Sequence, residues 1–266
     1  MNRLARKVFL AAVALFLSAP LVVVAGVSVN EKKRLFFPPE GFSLHWYAEL
    51  ATQAAWLTPV RNSLTIATLA GLVSVSIALP LAYALWRHRV FYAKALYALG
   101  IAPFILPPVI TALGFLIFWG QFGYAGRIEN DIVSHGIFLV TLPLMTISLG
   151  LESIDKAIVE AAATMGANAR ATFRTIILPL VRPYIISGYA FAFVLSLNEY
   201  IIAYMVAGFT VETLPIKIFN SLRYGYTPVM GAVAVAFVLI AVAVFGLIGR
   251  FGDLPKLLGH WQPEQR

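Results

Sequence analysis

Residues 160–179 read EAAATMGANARATFRTIILP and carry several local structure signals. The alanine-rich start favours a helix. Gly166 can adopt a positive φ angle, so it can end that helix and let a second one leave at an angle. Residues 172–178 can form the second helix, and Pro179 is expected to end it. The stretch predicts a compact, polar helix-turn-helix whose narrow alanine-rich knob can enter a groove on another protein.

The composition is that of an integral membrane protein. Hydrophobic residues make up 60% of the 266 residues and charged residues only 12%, about half the share in a soluble domain. The net charge of +8 would suggest nucleic acid in a soluble chain. Here the basic residues lie mostly between apolar segments, where they set membrane orientation, so no nucleic-acid partner is expected. The chain has no cysteine, which excludes disulfides and thiolate metal sites.

Six segments are long and apolar enough to cross a bilayer. Each holds about 20 residues, which suits a hydrocarbon core of ~30 Å. A backbone in lipid must satisfy its own hydrogen bonds, so the segments are predicted to be helices. We expect one all-α, polytopic domain over residues 1–266, with six transmembrane helices and a cytoplasmic helix-turn-helix. The predicted spans are 8–27, 63–85, 97–118, 132–151, 185–207 and 229–248.

The distribution of Lys and Arg predicts that both termini lie in the cytoplasm. With that topology, 13 of the 20 basic residues are cytoplasmic. Lys32, Lys33 and Arg34 lie just outside the first span and oppose this orientation, but the sum over all loops outweighs them. The same topology puts residues 160–179 in the cytoplasm, where a soluble protein can reach them.

Proline interrupts two of the predicted spans. Pro103, Pro107 and Pro108 cannot sit in one straight helix, so the third span either begins after Pro108 or breaks there. A broken helix is tolerated only beside protein or a water-filled cavity. Pro143 is expected to kink the fourth span.

Polar residues in apolar surroundings are candidates for a solute pathway. Glu199 follows Asn198 in the outer part of the fifth span, and an intramembrane acid usually faces a pathway or a partner. The alternative is that Glu199 reaches the outer interface. Tyr224 lies in an aromatic and basic segment that can line a solute entrance or anchor the chain at the interface. Thr111 follows the prolines of the third span.

Other functional classes lack their residue patterns. The four histidines lie on separate segments, so a metal site is unsupported. No glycine precedes a lysine, so the chain has no Walker A loop, and any ATP that drives it must bind another chain. An intramembrane enzyme would need clustered catalytic groups, and no catalytic residues are evident.

The stretch 160–179 resembles the EAA loop of binding-protein-dependent ABC import permeases. The family pattern is Glu-Ala-Ala, three residues, Gly, nine residues, Ile, one residue and Leu-Pro, and every fixed position is matched. In that family the loop is the coupling helix that docks on a cytoplasmic ATPase. The coupling residues that the resemblance implies are Glu160, Ala161, Ala162, Ala163, Met165, Gly166 and Pro179.

Residues 103–111, 196–199 and 214–219 look like segments of the permease subunits of spermidine/putrescine importers. The resemblance implies a bacterial inner-membrane subunit that works by alternating access. It also implies a second permease subunit, which would be a different chain, two ATPase subunits that bind ATP and Mg, and a periplasmic solute-binding protein. No cofactor is expected in this chain. The expected pathway residues are Thr111, Asn198, Glu199 and Tyr224.

Three positions depart from that subgroup. It commonly has acidic residues where this chain has Pro108, Asn198 and Val229. A polycation in a low-dielectric pathway needs compensating negative charge. A sister subunit can supply the acids, or the solute can be less cationic, such as an amino-acid derivative, a phosphonate or a sugar-like compound. An ATP-independent channel is the alternative from another class.

Overall fold

The computed structural model describes residues 3–88, 91–225 and 227–251, whose regular secondary structure is entirely helical. The all-α prediction is therefore confirmed. The elements are α1 (Arg3–Ser28), α2 (His45–Thr52), α3 (Ala54–Arg87), α4 (Ala93–Ile105), α5 (Pro108–Gln121), α6 (Ile128–Phe138), α7 (Thr141–Glu152), α8 (Lys156–Thr164), α9 (Ala169–Thr172), a π-helical turn (Phe173–Ile177), α10 (Leu178–Asn198), α11 (Ile201–Val206), α12 (Leu214–Tyr224) and α13 (Val229–Phe251).

Four helices of the described residues are long and apolar enough to cross a membrane. They are α1, α3, the continuous helix Ala169–Asn198 and the first part of α13. Two bent pairs, α4 with α5 and α6 with α7, bring the number to six if each pair is one span. The predicted spans 8–27, 63–85 and 229–248 lie within α1, α3 and α13.

The third and fourth predicted spans are both bent. α4 ends at Ile105, α5 begins at Pro108, and the two helices meet at 104°. Helix is present on both sides of the prolines, so the chain breaks there rather than starting a helix after Pro108. α6 and α7 meet at 42°, and Pro143 lies in the first turn of α7. A proline has no N–H to continue the hydrogen-bond ladder, which explains why the bend occurs beside it.

The prediction of one helix over residues 185–207 is wrong at both ends. The helix begins well before residue 185 and ends at Asn198. Glu199 has an extended backbone, with φ −74° and ψ 127°, and α11 follows it as a short separate helix. The fifth span is therefore discontinuous near its outer end.

The prediction that Pro179 ends a short helix over residues 172–178 is also wrong. α9, the π turn and α10 form one continuous helix, Ala169–Asn198. A proline inside an α-helix collides with the carbonyl four residues earlier and leaves it without a donor. The π turn widens the helix directly before Pro179 and so accommodates the ring.

α3 is the central element, and α6, α7 and α10 pack against it. The helices approach closely at small residues, as expected for membrane helices. A Cβ atom on Gly188 of α10 would lie 2.6 Å from Cα of Pro143 on α7. Ser74 of α3 donates a hydrogen bond of 2.7 Å to the carbonyl of Gly136 on α6. Gly188 therefore lies at a close contact between α7 and α10.

Three clusters of buried apolar side chains form the core. The first joins α3, α7, the π turn and α10, and it includes Leu144, Ile147 and Ile177. The second joins α2, α3, α12 and α13 around Trp46 and Trp56. The third joins α5, α6, α10 and α11. The first cluster includes Ile177 and so lies beside the helix-turn-helix. The third cluster contains residues of α10 and α11 and so lies at the discontinuity of the fifth span.

Candidate functional site

Two candidate regions emerge, and the first is the knob, residues 156–177, formed by α8, the turn at Gly166, α9 and the π turn. Each helix of the knob begins with a side-chain cap. Asp155 accepts a hydrogen bond of 2.9 Å from the N–H of Ala157 at the start of α8. Asn168 accepts one of 2.9 Å from the N–H of Ala171 at the start of α9. Caps of this kind satisfy N–H groups that have no partner inside the helix, so both helices of the knob are defined locally.

The turn between the two helices depends on Gly166. Its φ angle is +83°, in the left-handed region that glycine adopts without strain. The N–H of Gly166 donates to the carbonyl of Ala163, and the N–H of Ala167 donates to that of Ala162, both at 3.0 Å. These two bonds define a Schellman ending of α8. The predicted role of Gly166 in stopping the helix is confirmed.

The outer face of the knob carries most of the predicted coupling residues. Glu160, Ala161 and Ala163 are exposed, and Met165 is 82% exposed. Ala162 is only 2% exposed, so it faces the protein and is not available to a partner. Within the described residues, Glu160 forms no ion pair that would hold it against a neighbour.

The knob continues directly into the fifth span. Pro179 is exposed at the start of α10, while the neighbouring Ile177 is 2% exposed and belongs to the first apolar cluster. Val159 and Phe173, from the two arms of the knob, pack against the same cluster. Packed side chains therefore connect the knob to α3, α7 and α10.

The second region lies where the broken helices meet. α11 packs against α5 and α6. α5 is the second helix of one bent pair and α6 is the first helix of the other. The discontinuity of the fifth span therefore lies beside both bent pairs. Thr111 donates a hydrogen bond of 3.2 Å from its hydroxyl to the carbonyl of Pro103. This bond satisfies a carbonyl at the break and gives Thr111 a structural role there.

Glu199 supports the discontinuity with its side chain. Its Oε1 atom accepts hydrogen bonds from the N–H groups of Ile201 (2.9 Å) and Ile202 (3.0 Å). Its Oε2 atom accepts from Ile202 (3.0 Å) and Ala203 (3.1 Å). The carboxylate thus satisfies the first N–H groups of α11, which would otherwise lack acceptors in an apolar setting.

His135 on α6 binds to both sides of the break. Its Nε2 atom lies 3.3 Å from Oε2 of Glu199, an ion-pair distance. Its Nδ1 atom lies 2.8 Å from Oγ of Ser196 on α10. The imidazole is 1% exposed. It connects α6 to the end of α10 and to the cap of α11.

Asp131 lies one turn before His135 on α6. The residue is fully buried, and neither carboxylate oxygen has a hydrogen-bond partner. A buried carboxylate without a donor or a cation is costly, and an intramembrane one usually serves a function.

The sequence of the chain matches the family described as the inner membrane component of binding-protein-dependent transport systems over residues 1–252. This chain belongs to that family. It is therefore a multi-pass inner-membrane protein and a transporter subunit, and the prediction of the permease family is confirmed.

Curated relatives of this permease carry polyamine names. The putrescine transport system permease protein PotI of Escherichia coli (strain K12) is 35% identical over 240 residues, which cover 88% of this chain and 85% of the relative. The spermidine/putrescine transport system permease protein PotC of Haemophilus influenzae is 28% identical over 239 residues, which cover 90% and 93% of the two chains. The resemblance to the spermidine/putrescine subgroup is confirmed.

Solved structures share the fold of this permease. A bacterial ABC transporter involved in the import of the acidic polysaccharide alginate has a chain that matches with a TM-score of 0.72 and 17% identity, covering 94% of this chain and 98% of that one. The inward-facing MetNI methionine ABC transporter matches with a TM-score of 0.63 and 18% identity, covering 77% and 96%. The fold is that of ABC importer permeases.

The four predicted pathway residues of this permease have different environments. Thr111 is half-buried and closes the α4–α5 break, while Glu199 caps α11. Asn198 is exposed, and its amide donates a hydrogen bond of 2.8 Å to the carbonyl of Val194 in its own helix. Tyr224 is the last residue of α12, and its side chain lies outside the described part of the chain.

The sequence prediction misses Asp131 and His135. The predicted fourth span begins at residue 132, so Asp131 falls just outside the predicted membrane-spanning segments. The available signal is the spacing of four residues between Asp131 and His135, which puts both side chains on one helix face. Nothing in the sequence indicates that this face meets Glu199.

Besides Asn198, two other positions depart from the polyamine subgroup. Pro108 is exposed at the first position of α5. Val229 is fully buried at the start of α13, in the apolar cluster with Trp46 and Trp56. An acid at position 229 would be desolvated there, so the apolar valine suits this packing.

A groove of about 690 Å³ lies between α10 and α13. Its lining is apolar and aromatic except for Arg182. Tyr189 and Phe193 line it as a stacked pair with ring centroids 6.2 Å apart. Pro179 lies at one end, so the groove extends from the knob along the fifth span.

Proposed function

We propose that this chain is a transmembrane subunit of an ATP-driven ABC importer, which moves a small polar solute from the periplasm to the cytoplasm by alternating access. The observation that carries the proposal is the exposed knob of α8 and Gly166, held on the apolar cluster of α3, α7 and α10, in a chain of the import permease family. A narrow, protruding helix end is the shape that docking into a groove of another subunit requires.

The partners follow from the same proposal. A second permease subunit, different from this chain, completes the pathway. Two ATPase subunits bind ATP and Mg and hydrolyse the nucleotide, and a periplasmic binding protein delivers the solute. Among the solved neighbours, an alginate ABC transporter is in complex with an alginate pentasaccharide-bound periplasmic protein. This chain needs no cofactor of its own.

In the proposed topology both termini and the knob face the cytoplasm. Closure of the ATPase pair presses on the knob through Met165, Ala161 and Ala163, which are exposed. Gly166 keeps the turn in the shape that presents this face. The motion reaches the fifth span because α9, the π turn and α10 are one continuous helix.

We propose a polyamine-type solute as the first candidate, because relatives named for putrescine and spermidine/putrescine align over about nine-tenths of the chain. Thr111, Asn198, Glu199 and Tyr224 remain the proposed pathway residues. The carboxylate of Glu199, at the discontinuity of the fifth span, supplies negative charge of the kind that a cationic solute requires.

A less cationic solute is the second candidate. Pro108, Asn198 and Val229 are uncharged, and Arg182 adds a positive charge to the groove between α10 and α13. An amino-acid derivative, a phosphonate or a sugar-like compound would meet less repulsion there than a polycation. Uptake of the two kinds of solute distinguishes these candidates.

The decisive experiment is co-expression of the chain with candidate ATPase, permease and binding-protein genes from the same genome, followed by reconstitution into liposomes. We expect the chain to co-purify with the ATPase and to support ATP-dependent uptake of radiolabelled putrescine. ATP-independent flux through this chain alone would instead establish a channel. ATP-dependent uptake of other solutes without putrescine would establish the second candidate.

A further inference from the structure

The groove between α10 and α13 has two chemically different parts. Its volume of about 690 Å³ lies in the range of ligand pockets, about 300–1,000 Å³. Arg182 is the charged residue of the lining and lies near Pro179, at the knob end of the groove. From there to Phe193 the lining is apolar and aromatic. A ligand that matches the whole groove has one anionic end and a long apolar part.

The α10 side of the groove is one continuous helix face. The lining residues of α10 recur with the period of an α-helix, from Pro179 to Phe193. From Arg182 to Phe193 this face extends about 16 Å at ~1.5 Å per residue. One leaflet contributes about 15 Å, which is half of a hydrocarbon core of ~30 Å. The apolar part of the groove therefore has the length of a lipid chain that crosses one leaflet.

Arg182 has no acidic partner in the part of the chain that the structure describes. It takes part in none of the ion pairs there, and its side chain is exposed. Side chains on a helix lean toward the helix N-terminus, so Arg182 leans toward Pro179 and the knob. In the proposed topology this end is the cytoplasmic surface, where long basic side chains reach the lipid headgroups.

The apolar part of the groove is accessible on both of its walls. Ile186 of α10 and Leu247 of α13 line it and are 40% and 57% exposed. Inside a membrane, such a surface is covered by lipid or by another helix. An apolar helix would leave the guanidinium of Arg182 without an anionic partner. A basic pocket between membrane helices at the cytoplasmic side is instead the arrangement that binds anionic lipid headgroups.

We propose that this groove binds one anionic phospholipid of the inner leaflet. The phosphate lies on Arg182, whose planar guanidinium can donate two parallel hydrogen bonds to it. One acyl chain lies along α10, between Ile186 and Leu247. The lipid is distinct from any transported solute, so the inference goes beyond the proposed function and shares with it only the topology.

The first test uses the full-length chain, purified in detergent with the subunits that accompany it, and dioleoyl phosphatidylglycerol as the probe. Dioleoyl phosphatidylcholine has the same chains without the net charge, and glycerol 3-phosphate has the phosphate without the chains. We expect phosphatidylglycerol to raise the unfolding temperature more than phosphatidylcholine does, and glycerol 3-phosphate to leave it unchanged. An equal rise with the two lipids, or a rise with glycerol 3-phosphate, would overturn the inference.

The second test measures the contribution of the arginine. Arg182→Gln should raise the half-saturating concentration of phosphatidylglycerol about fivefold, the loss expected for one basic side chain at an anionic membrane surface. Arg87→Gln is the matched control and should bind like the wild type, because Arg87 is exposed in the last turn of α3 and does not line the groove. Arg182→Lys keeps the charge and should keep most of the affinity.

Two outcomes of this comparison contradict the proposal. Wild-type affinity in Arg182→Gln would show that the arginine does not hold the phosphate. An equal loss in Arg182→Gln and Arg87→Gln would show that the lipid responds to the general charge of the surface. Retained affinity in Arg182→Lys upholds the site even if Arg182→Gln folds poorly, and a loss as large as that in Arg182→Gln with a normal unfolding temperature counts against it.

The third test identifies the occupant in intact cell membranes. A photoreactive benzoylphenylalanine replaces Ile186, and mass spectrometry identifies what it captures on illumination. We expect a phosphatidylglycerol adduct, which is reduced severalfold when Arg182→Gln is introduced into the same chain. Capture of a second permease subunit in place of lipid would show that a protein helix covers the groove and would overturn the inference. ATP-dependent solute uptake is measured separately, so the proposed function can stand when the lipid site fails.

Discussion

His135 and Glu199 meet through atoms Nε2 and Oε2 at 3.3 Å, with side chains that are only 1% and 9% exposed. The contact fastens α6 to the discontinuity of the fifth span, where the glutamate also caps α11. The carboxylate of Glu199 therefore pairs with His135 and also caps α11, so its removal would break both contacts.

The first prediction concerns the stability of this junction. Glu199→Ala should destabilise the protein by about 3 kcal/mol, because it leaves His135 unpaired and several buried N–H groups without an acceptor. Thermal unfolding of the purified protein in detergent measures the loss. Asn198→Ala is the control and should change stability by less than about 0.5 kcal/mol, because Asn198 is exposed. Equal effects of the two substitutions would contradict the capping role.

The second prediction concerns the turn of the knob. Gly166 and Gly123 have φ angles of +83° and +69°, and an added Cβ on either would have no atom within 4 Å. Leucine at either position should cost about 1–2 kcal/mol of strain, because side chains disfavour this backbone region. Under the proposed function, only Gly166→Leu should reduce uptake and binding-protein-stimulated ATP hydrolysis, by roughly fivefold or more. The same loss in Gly123→Leu would show that strain alone is responsible.

The third prediction concerns the contact between α7 and α10. A Cβ atom on Gly188 would lie 2.5 Å from Oγ1 of Thr146 and 2.6 Å from Cα of Pro143. Gly188→Ala should therefore destabilise the protein by about 2 kcal/mol through overpacking. Gly246→Ala on α13 meets nothing within 4 Å and should change stability by less than about 1 kcal/mol, towards greater stability. If both substitutions lowered the unfolding temperature equally, close packing at Gly188 would not be the reason for glycine there.

The fourth prediction concerns the hydrogen bond between α3 and α6. Ser74→Ala removes a buried bond of 2.7 Å to the carbonyl of Gly136 and should cost about 1 kcal/mol. Ser76 is exposed and donates to Val73 in its own helix. Ser76→Ala should thus change stability by less than about 0.5 kcal/mol. A comparison of unfolding midpoints in detergent decides between them, and a neutral Ser74→Ala would refute the proposed importance of the bond.

The parts of the fold that depend on local chemistry could be predicted from the sequence. The apolar segments predict the helices, because a backbone in lipid has no other partners. The Gly166 turn could be predicted because a positive φ angle and a Schellman ending involve only residues next to each other in the chain. The break between α4 and α5 could be predicted for the same reason, because it depends on prolines that are close together in the chain.

The parts that depend on distant contacts could not be predicted. The break at Glu199 is stabilised by its own carboxylate and by His135 on another helix, and the sequence does not show that pairing. Asp131 could be read as a residue at the membrane surface until the fold placed it among buried helices. Pro179 has the usual sequence signature of a helix end, yet the preceding π turn lets the helix continue through it.

That continuation has a mechanical consequence. The helix Ala169–Asn198 holds 30 residues, which corresponds to a rod of about 45 Å at ~1.5 Å per residue. A rod of this length, tilted by about 5° at its knob end, carries its far end through about 4 Å. The far end is where Glu199 and His135 meet, so under the proposed function a slight rotation of the knob would displace this buried pair by several times the movement at the pivot.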